Sequence, residues 1–381
     1  MTQQQPKQIA KLLAPLDTRS GRTANFDMIR LALAFFVLVS HAYLLSLPPR
    51  QFKKSDPLLW LTHGQMDLGG FAVNLFFVIS GFLIANSWVR RPEIGNFLRS
   101  RFLRIYPGFA VATLFGLLVV GPLGTDSVHA YLLTLGPKNL VWMVFLASPA
   151  IPGPPVVFEH QRFSNFLNGS LWTLRYEFWC YVILVAAAGV GILRDKRVTI
   201  IAWSLTFVGY LALNHWHIHP LAGREIRLIG APNVYPRFLS YFFAGVCVYQ
   251  LRNRLLRCSL GTCVSLGILV VSCLTGRGFE PWLAICGTWL LFTAAYAQPW
   301  KINSWLKGMD LSYGLYLYAY PVEQLIIRFV PGIGPIAVIL ASLPVSFVLA
   351  ILSWKFVEEP CLRLKRSKIE SGVSNVESNV T

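Results

Sequence analysis

The sequence predicts an all-α membrane protein with about ten transmembrane helices. Of its 381 residues, 55% are hydrophobic and only 13% are charged, which is typical of a chain that crosses a bilayer several times. Apolar stretches of about 17–23 residues recur along the chain, and each is long enough to cross a hydrocarbon core of about 30 Å. Short loops that carry most of the Arg and Lys residues separate these stretches.

Ten spans are predicted between a polar N-terminal tail, residues 1–24, and a polar C-terminal tail, residues 364–381. The transmembrane domain then occupies residues 25–363. The one long loop, 124–171, contains the apolar run Val141–Ile151, which is too short to span and is expected to be re-entrant or to lie on the surface. The spans cover approximately residues 28–47, 70–88, 105–123, 172–192, 199–215, 234–251, 259–274, 281–297, 311–329 and 334–356.

The distribution of positive charge predicts the orientation of these spans. Of the 34 Lys and Arg residues, 22 fall on the side that holds both termini, 8 fall on the opposite side, and 4 lie within spans or at their ends. Basic residues are retained on the cytoplasmic side of membrane proteins, so both termini are predicted to be cytoplasmic. The net charge of +17 is confined to short loops between spans, which argues against a nucleic-acid partner and leaves the lipid bilayer as the surroundings.

The sequence gives no sign of a disulfide framework or a metal centre. The seven Cys residues are scattered, mostly within spans, without the regular spacing of either kind of site. His215, His217 and His219 form a short cluster, but no carboxylate or Cys lies beside them. We therefore predict no metal ion.

The first span carries charged residues that a purely structural membrane helix would avoid. Asp27, Arg30 and His41 all fall within it, and an ionisable group at the centre of a span costs at least about 2.5–3.5 kcal/mol. Arg30 and His41 are eleven residues apart, so they share one helix face about 16 Å apart along the axis. A functional pair is predicted, the alternative being an interfacial Arg that reaches the surface and a structural His.

A second basic cluster precedes the third span. Arg101 and Arg104 are three residues apart on one helix face, and two guanidinium groups so placed suit bidentate recognition of phosphate. The alternative is ordinary positive charge on the cytoplasmic side. In the second span, Ser80-Gly81 allows close helix approach, and its simplest interpretation is packing.

Two glutamates are expected near the depth of His41. Counting from the span ends places Glu177 about 7–8 Å below the outer surface and Glu323 about 18 Å from the cytoplasmic face. A carboxylate beside a histidine raises its basicity and fixes its tautomer, as a general base requires. Either glutamate could instead pair with Arg175 or Arg328.

Six motifs in order resemble the acyltransferase 3 family, the bacterial membrane O-acyltransferases that modify cell-surface and exported glycans. They are FDMIRLALAFFVLVSH, NLFFVISGFLI, RSRFLRIYP, SLWTLRYEFWCY, DLSYGLYLYAYPV and FVEEPCLR, and they extend over residues 25 to about 363. The resemblance implies ten spans in the inner membrane, an acyl-CoA donor from the cytoplasm and a hydroxyl acceptor reached from outside. It also places the family's essential residues on Arg30, His41, Arg101 and Arg104.

This chain departs from the family pattern at two places. It has Asn74 where the second-span motif often has Asp, and Tyr318-Ala319-Tyr320-Pro321 where the ninth-span motif often reads Trp-His-Trp-Pro. A role for that second histidine therefore cannot be assumed, and His41 is the only histidine predicted within the bilayer.

The resulting hypothesis is an enzyme that moves an acyl group, with acetyl favoured, from acyl-CoA to a sugar hydroxyl of a polysaccharide, lipid-linked glycan or oligosaccharide. In it, His41 is the general base and is oriented by Glu177 or Glu323. The donor site contains Arg30, Arg101 and Arg104 together with Ser80 and Gly81. No permanently bound cofactor is expected.

Two other classes of protein are alternatives to this hypothesis. A transporter or flippase for sugars or lipid-linked glycans also fits ten spans with buried charges. Against it, no inverted repeat is evident, and the arginines cluster at one membrane surface instead of lining a route across the membrane. A non-catalytic membrane scaffold would leave the Arg30–His41 pair without a purpose.

Overall fold

The computed structural model describes residues 25–146, 156–215, 226, 228–255, 259–296 and 309–364. Within these ranges the secondary structure is helical and no strand forms. Apart from Leu364, both predicted tails lie outside the described residues.

Ten long helices in the described ranges follow the order of the predicted spans. The third continues through a π-helical turn to Gly124, the eighth contains a π-helical turn at Leu283–Gly287, and the tenth continues through another to Leu364. Short helices occupy Pro49–Ser55, Pro57–Leu61, Val128–Leu135 and Pro137–Leu146, and a 3-10 turn occupies Pro232–Val234. The long helices are α1 Phe26–Ser46, α2 Leu68–Arg90, α3 Ile94–Phe115, α4 Trp172–Gly189, α5 Lys196–His215, α6 Tyr235–Leu255, α7 Ser259–Thr275, α8 Phe279–Ala295, α9 Leu311–Phe329 and α10 Pro335–Ser353.

Five helical segments are long and apolar enough by themselves to cross a membrane, namely α1, α2, Ile94–Gly124, Lys196–Asn214 and Pro335–Leu364. They support a membrane protein, whereas the count of ten crossings and the side of the termini stay predictions. Helix α9 is not among the five because it is rich in Tyr and polar residues. Every residue from Leu311 to Gln324 is buried, so these side chains contact protein and need not be apolar.

Helices α1 and α9 lie side by side and run in the same direction. Near their beginnings, Arg30 bonds to Asp310, and farther along, the rings of His41 and Tyr320 are 5.1 Å apart. In an alternating membrane topology the first and ninth spans cross in the same direction, and the parallel pairing of α1 and α9 agrees with this. We call the end of the bundle where α1 and α9 begin the arginine end, which the charge bias predicts to be cytoplasmic.

Helices α2 and α6 pack closely because glycines meet at their interface. A Cβ added at Gly81 would lie 1.9 Å from the carbonyl oxygen of Phe242, and one added at Gly245 would lie 1.9 Å from that of Val78. Only glycine permits this approach. Gly81 therefore faces α6, where it serves packing, and a contact with the donor stays a prediction.

The segment before α4 folds into the bundle and does not stay on its surface. Gln161 Nε2 donates to the backbone oxygen of Gln324 at 3.0 Å, and Asn168 Nδ2 donates to that of Leu317 at 2.7 Å. Asn168, the first residue of a possible glycosylation sequon, is only 2% exposed and is inaccessible in the folded protein. Of the apolar run 141–151, residues up to Leu146 are helical, and the remainder lies outside the described residues.

Candidate active site

A cluster of charges lies at the arginine end. Arg30 and Arg104 both bond to Oδ2 of Asp310, and Ser312 Oγ donates to Oδ1 at 2.5 Å. Burial alone would raise the pKa of Asp310, but the charges of Arg104 and Arg30 outweigh it and hold the pKa well below its usual range. Asp310 is thus an ionised carboxylate that fixes the orientation of two guanidinium groups.

Arg101 completes this cluster, one turn of α3 before Arg104. Its guanidinium lies 5.8 Å from the ring centre of Phe97, its Nε donates to Ser100 at 3.2 Å, and it interacts electrostatically with Arg104 and Glu177. The structure therefore brings the three predicted donor-site arginines together. A guanidinium has five N–H donors, so Arg30 and Arg104 keep donors for an anionic ligand while they bond to Asp310.

Glu358 is a member of the cluster that was not among the predicted site residues. It is 2% exposed, accepts from Ser353 Oγ at 3.1 Å, and lies within electrostatic range of Arg104 and Arg30. Both Glu358 and Asp310 fall in quoted motifs, FVEEPCLR and DLSYGLYLYAYPV. Their position at the same predicted membrane surface as the arginines is a sequence signal that could have identified them.

A small cavity of about 50 Å³, lined by both polar and apolar side chains, lies beside Arg30 inside the bundle. Ser80 Oγ donates to Glu177 Oε1 at 2.9 Å inside it, and Tyr181 donates to the same oxygen. Residues of α1, α2, α4 and α9 line it, and the polar ones are Arg30, Ser80, Thr173, Glu177, Ser312, Tyr313 and Tyr316.

Glu177 does not lie beside His41, contrary to expectation. It shares the cavity of Arg30 and bonds to Ser80 and Tyr181, whereas His41 is about 16 Å farther along α1 than Arg30. The depth estimate assumed that α4 begins at the membrane surface. Because residues 156–171 fold inward, α4 begins inside the bundle, and Glu177 lies nearer the arginine end than predicted.

His41 lies deep in the bundle against Tyr320, whose ring is perpendicular to the imidazole. Its Nδ1 is buried and has no hydrogen-bond partner among the described residues. Asp67 lies within electrostatic range of His41 and caps α2 by accepting from the Gly70 N–H at 2.7 Å. Sequence reasoning missed Asp67 because it precedes the second span and looks like an ordinary helix cap.

Glu323 is fully buried, and neither of its carboxyl oxygens has a hydrogen-bond partner among the described residues. It forms no hydrogen bond with His41 and does not pair with Arg328, which bonds to Asp126. A buried polar group without a partner is rare and calls for an explanation, and Glu323 therefore stays a candidate. Its contact with Tyr320 is electrostatic.

The other predicted features lie elsewhere or have structural partners. Asn74 accepts from Arg237 Nε at 3.0 Å, a bond that the acid often found at this position in the family could also accept. His217 and His219 lie outside the described residues. Among the described residues, Asp126, Glu159 and His160 could approach a metal ion, but they are exposed and Asp126 already bonds to Arg328.

The helical fold, the cluster of arginines beside a cavity and the buried histidine on the same helix as Arg30 suit a membrane protein that binds an anionic ligand. The chain belongs to the acyltransferase 3 family, because the family profile described as an acyltransferase domain matches residues 23–355. The recognition made from the motifs is thereby confirmed, and the family supports an enzyme.

Two relatives match nearly the whole chain. It is 29% identical to an O-acetyl transferase of Shigella phage Sf6 over 354 residues, which is 90% of this chain and 97% of the relative. It is 26% identical to Nodulation protein 10 of Rhizobium leguminosarum bv. viciae over 382 residues, which is 93% of this chain and 97% of the relative. No solved structure gives a significant match.

Proposed function

We propose that the protein is an inner-membrane enzyme that transfers an acetyl group from acetyl-CoA, taken up at the cytoplasmic side, to a sugar hydroxyl of an exported or cell-surface glycan. The observation that carries this proposal is the convergence of Arg30, Arg101 and Arg104 at one end of a helix bundle whose α1 also bears His41. The name of the phage relative, O-acetyl transferase, supports acetyl as the transferred group.

In this proposal the arginine cluster holds the phosphates of CoA. Asp310 positions Arg30 and Arg104, and their free N–H donors and those of Arg101 form charge-assisted hydrogen bonds to phosphate oxygens. The thioester arm extends along the cavity beside Arg30, past Ser80 and Glu177. The distance of about 16 Å from Arg30 to His41 along α1 is the distance that the arm spans.

His41 acts as the general base at the far end of this path. It accepts the proton of the acceptor hydroxyl as the oxygen attacks the thioester carbon, the C–O bond forms, the C–S bond breaks, and the proton passes to the thiolate of CoA. Such a base contributes about 10²–10⁴-fold to the rate. Asp67 lies within electrostatic range of His41, whereas Glu177 supports the cavity wall.

The test is acetyl transfer by the purified protein in lipid nanodiscs, combined with mass spectrometry of surface glycans from cells with and without the protein. His41→Gln keeps a hydrogen-bonding side chain but removes the basicity, so it is expected to lower transfer at least about 100-fold while acetyl-CoA binding stays unchanged. A structural histidine predicts that Gln is tolerated. Transfer by His41→Gln near the wild-type rate would exclude the proposed mechanism.

A further inference from the structure

A second cavity lies at the opposite end of the bundle, away from the arginine cluster. Its volume is about 250 Å³, and it opens where α4, α6 and α8 begin and α5 ends. None of its lining residues was among the predicted site residues. The residues with polar or aromatic side chains that line it are Trp172, Tyr210, Asn214, Asn233, Arg237 and Glu280.

Arg237 is held in place by two polar neighbours at the wall of this cavity. Arg237 donates from Nε to Asn74 at 3.0 Å, and the same nitrogen lies 3.4 Å from Glu280. The hydroxyl of Tyr210 lies beside Glu280. Arg237 and Glu280 keep 30% and 21% of their side-chain surface exposed, so both retain atoms that can bond to a ligand.

The side chains that line the cavity suit a neutral ligand with many hydroxyl groups. The opposite charges of Arg237 and Glu280 compensate each other, which disfavours a phosphate or a free carboxylate as the ligand. Asn214 and Asn233 carry amides that both donate and accept hydrogen bonds, and the ring of Trp172 offers a face to aliphatic C–H groups. Cavities for drug-sized ligands measure about 300–1,000 Å³, so 250 Å³ suits a single sugar ring.

The cavity is also connected to the proposed catalytic base. Arg237 Nη2 lies 3.2 Å from the position that a Cβ on Gly70 would take. The N–H of Gly70 bonds to Asp67. One turn of α2 therefore separates the cavity wall from Asp67, the acid within electrostatic range of His41.

We propose that this cavity binds one sugar residue of the acceptor glycan, with Trp172 against the ring and Arg237 and Glu280 on its hydroxyl groups. The inference rests on the proposed function, because it assigns the acceptor side of the same reaction. It places the acceptor at the end of the bundle opposite the donor phosphates, so the two substrates approach His41 from different ends.

The test measures sugar binding and donor binding separately on the full-length protein in nanodiscs. Saturation-transfer NMR is recorded with the methyl α-glycosides of glucose, galactose, rhamnose and N-acetylglucosamine, and acetyl-CoA binding is measured in parallel. At least one glycoside is expected to bind the wild type. Glu280→Gln is expected to weaken that binding roughly tenfold, as for the loss of a hydrogen bond to a charged group. Trp172→Leu is expected to weaken it because the aromatic face against the sugar ring is lost, and both variants should leave acetyl-CoA binding unchanged.

Two matched controls lie at the same end of the protein outside the cavity. Trp60 is 71% exposed and Glu159 is also exposed, so Trp60→Leu and Glu159→Gln should bind the glycoside as the wild type does. Asn233→Ala supplies a milder cavity variant should the loss of Glu280 lower the protein yield.

The outcomes separate this inference from the proposed function. If no glycoside binds the wild type, or if the cavity variants bind as tightly as the controls, the acceptor site is not here, whatever the acetyl-CoA measurement shows. If glycoside binding depends on Trp172 and Glu280 but acetyl-CoA neither binds nor reacts, the sugar site stands and the proposed function fails.

Discussion

Replacement of Gly81 by alanine tests the close contact between α2 and α6. The added Cβ would lie 1.9 Å from the Phe242 carbonyl oxygen, so the helices must separate by about 1.5 Å to reach the ordinary contact distance of 3.4 Å. That shift would open the stacked pair of Phe77 and Phe238, whose ring centres are 4.1 Å apart. It would also stretch the hydrogen bond from Arg237 to α2.

The expected loss of stability follows from these contacts. Overpacking of a well-packed interface costs about 1–3 kcal/mol, and a hydrogen bond from a charged donor contributes about 1.5–3 kcal/mol. Gly81→Ala should therefore destabilise the protein by about 3 kcal/mol or more and lower the melting temperature by roughly 5 °C or more. Gly245→Ala meets the reciprocal clash, and the double variant should lose less than the sum, because one separation relieves both contacts.

The assay is the melting temperature of the purified protein, followed as the loss of its monodisperse gel-filtration peak. Gly267→Ala is the matched control, because Gly267 lies within α7 with no atom within 4 Å of an added Cβ. There, alanine should stabilise the helix by up to about 1 kcal/mol. If Gly81→Ala melted at the same temperature as Gly267→Ala, the proposed closeness of α2 and α6 would be refuted.

Three further predictions concern the donor site, the pH dependence and the orientation. Arg101→Ala and Arg104→Ala should each weaken acetyl-CoA binding by about 1.5–3 kcal/mol, and Arg101→Lys should not restore it fully; unchanged affinity in the alanine variants would remove both from the site. Burial raises the pKa of Asp56, so the protonated carboxyl contributes stability that should be lost as the pH rises through that pKa. Asp56→Asn should therefore flatten the dependence of the melting temperature on weakly acidic pH. A reporter fused after Ser371 should be active only as a cytoplasmic reporter, and periplasmic activity would reverse the orientation.

The sequence alone determined the features that depend on local geometry. Helix bounds agree with the predicted spans to within a few residues for most spans, because the apolar length of a segment decides whether it forms a long membrane helix. The third helix begins at Ile94, earlier than predicted, because its polar first turns carry no hydropathy signal. The common face of Arg30 and His41 was likewise predictable, since it follows from the period of a single helix.

Tertiary structure decided which residues meet across the bundle. Asp310 lies 280 positions from Arg30, and no periodicity within one helix relates them. Glu177 was placed at the wrong depth because the inward fold of residues 156–171 depends on contacts with α9. The cavity around Arg237 and Glu280 exists only where the ends of four helices converge. Spacing along one helix is fixed by backbone hydrogen bonds, whereas depth and pairing depend on how whole helices pack, and only the tertiary structure determines that.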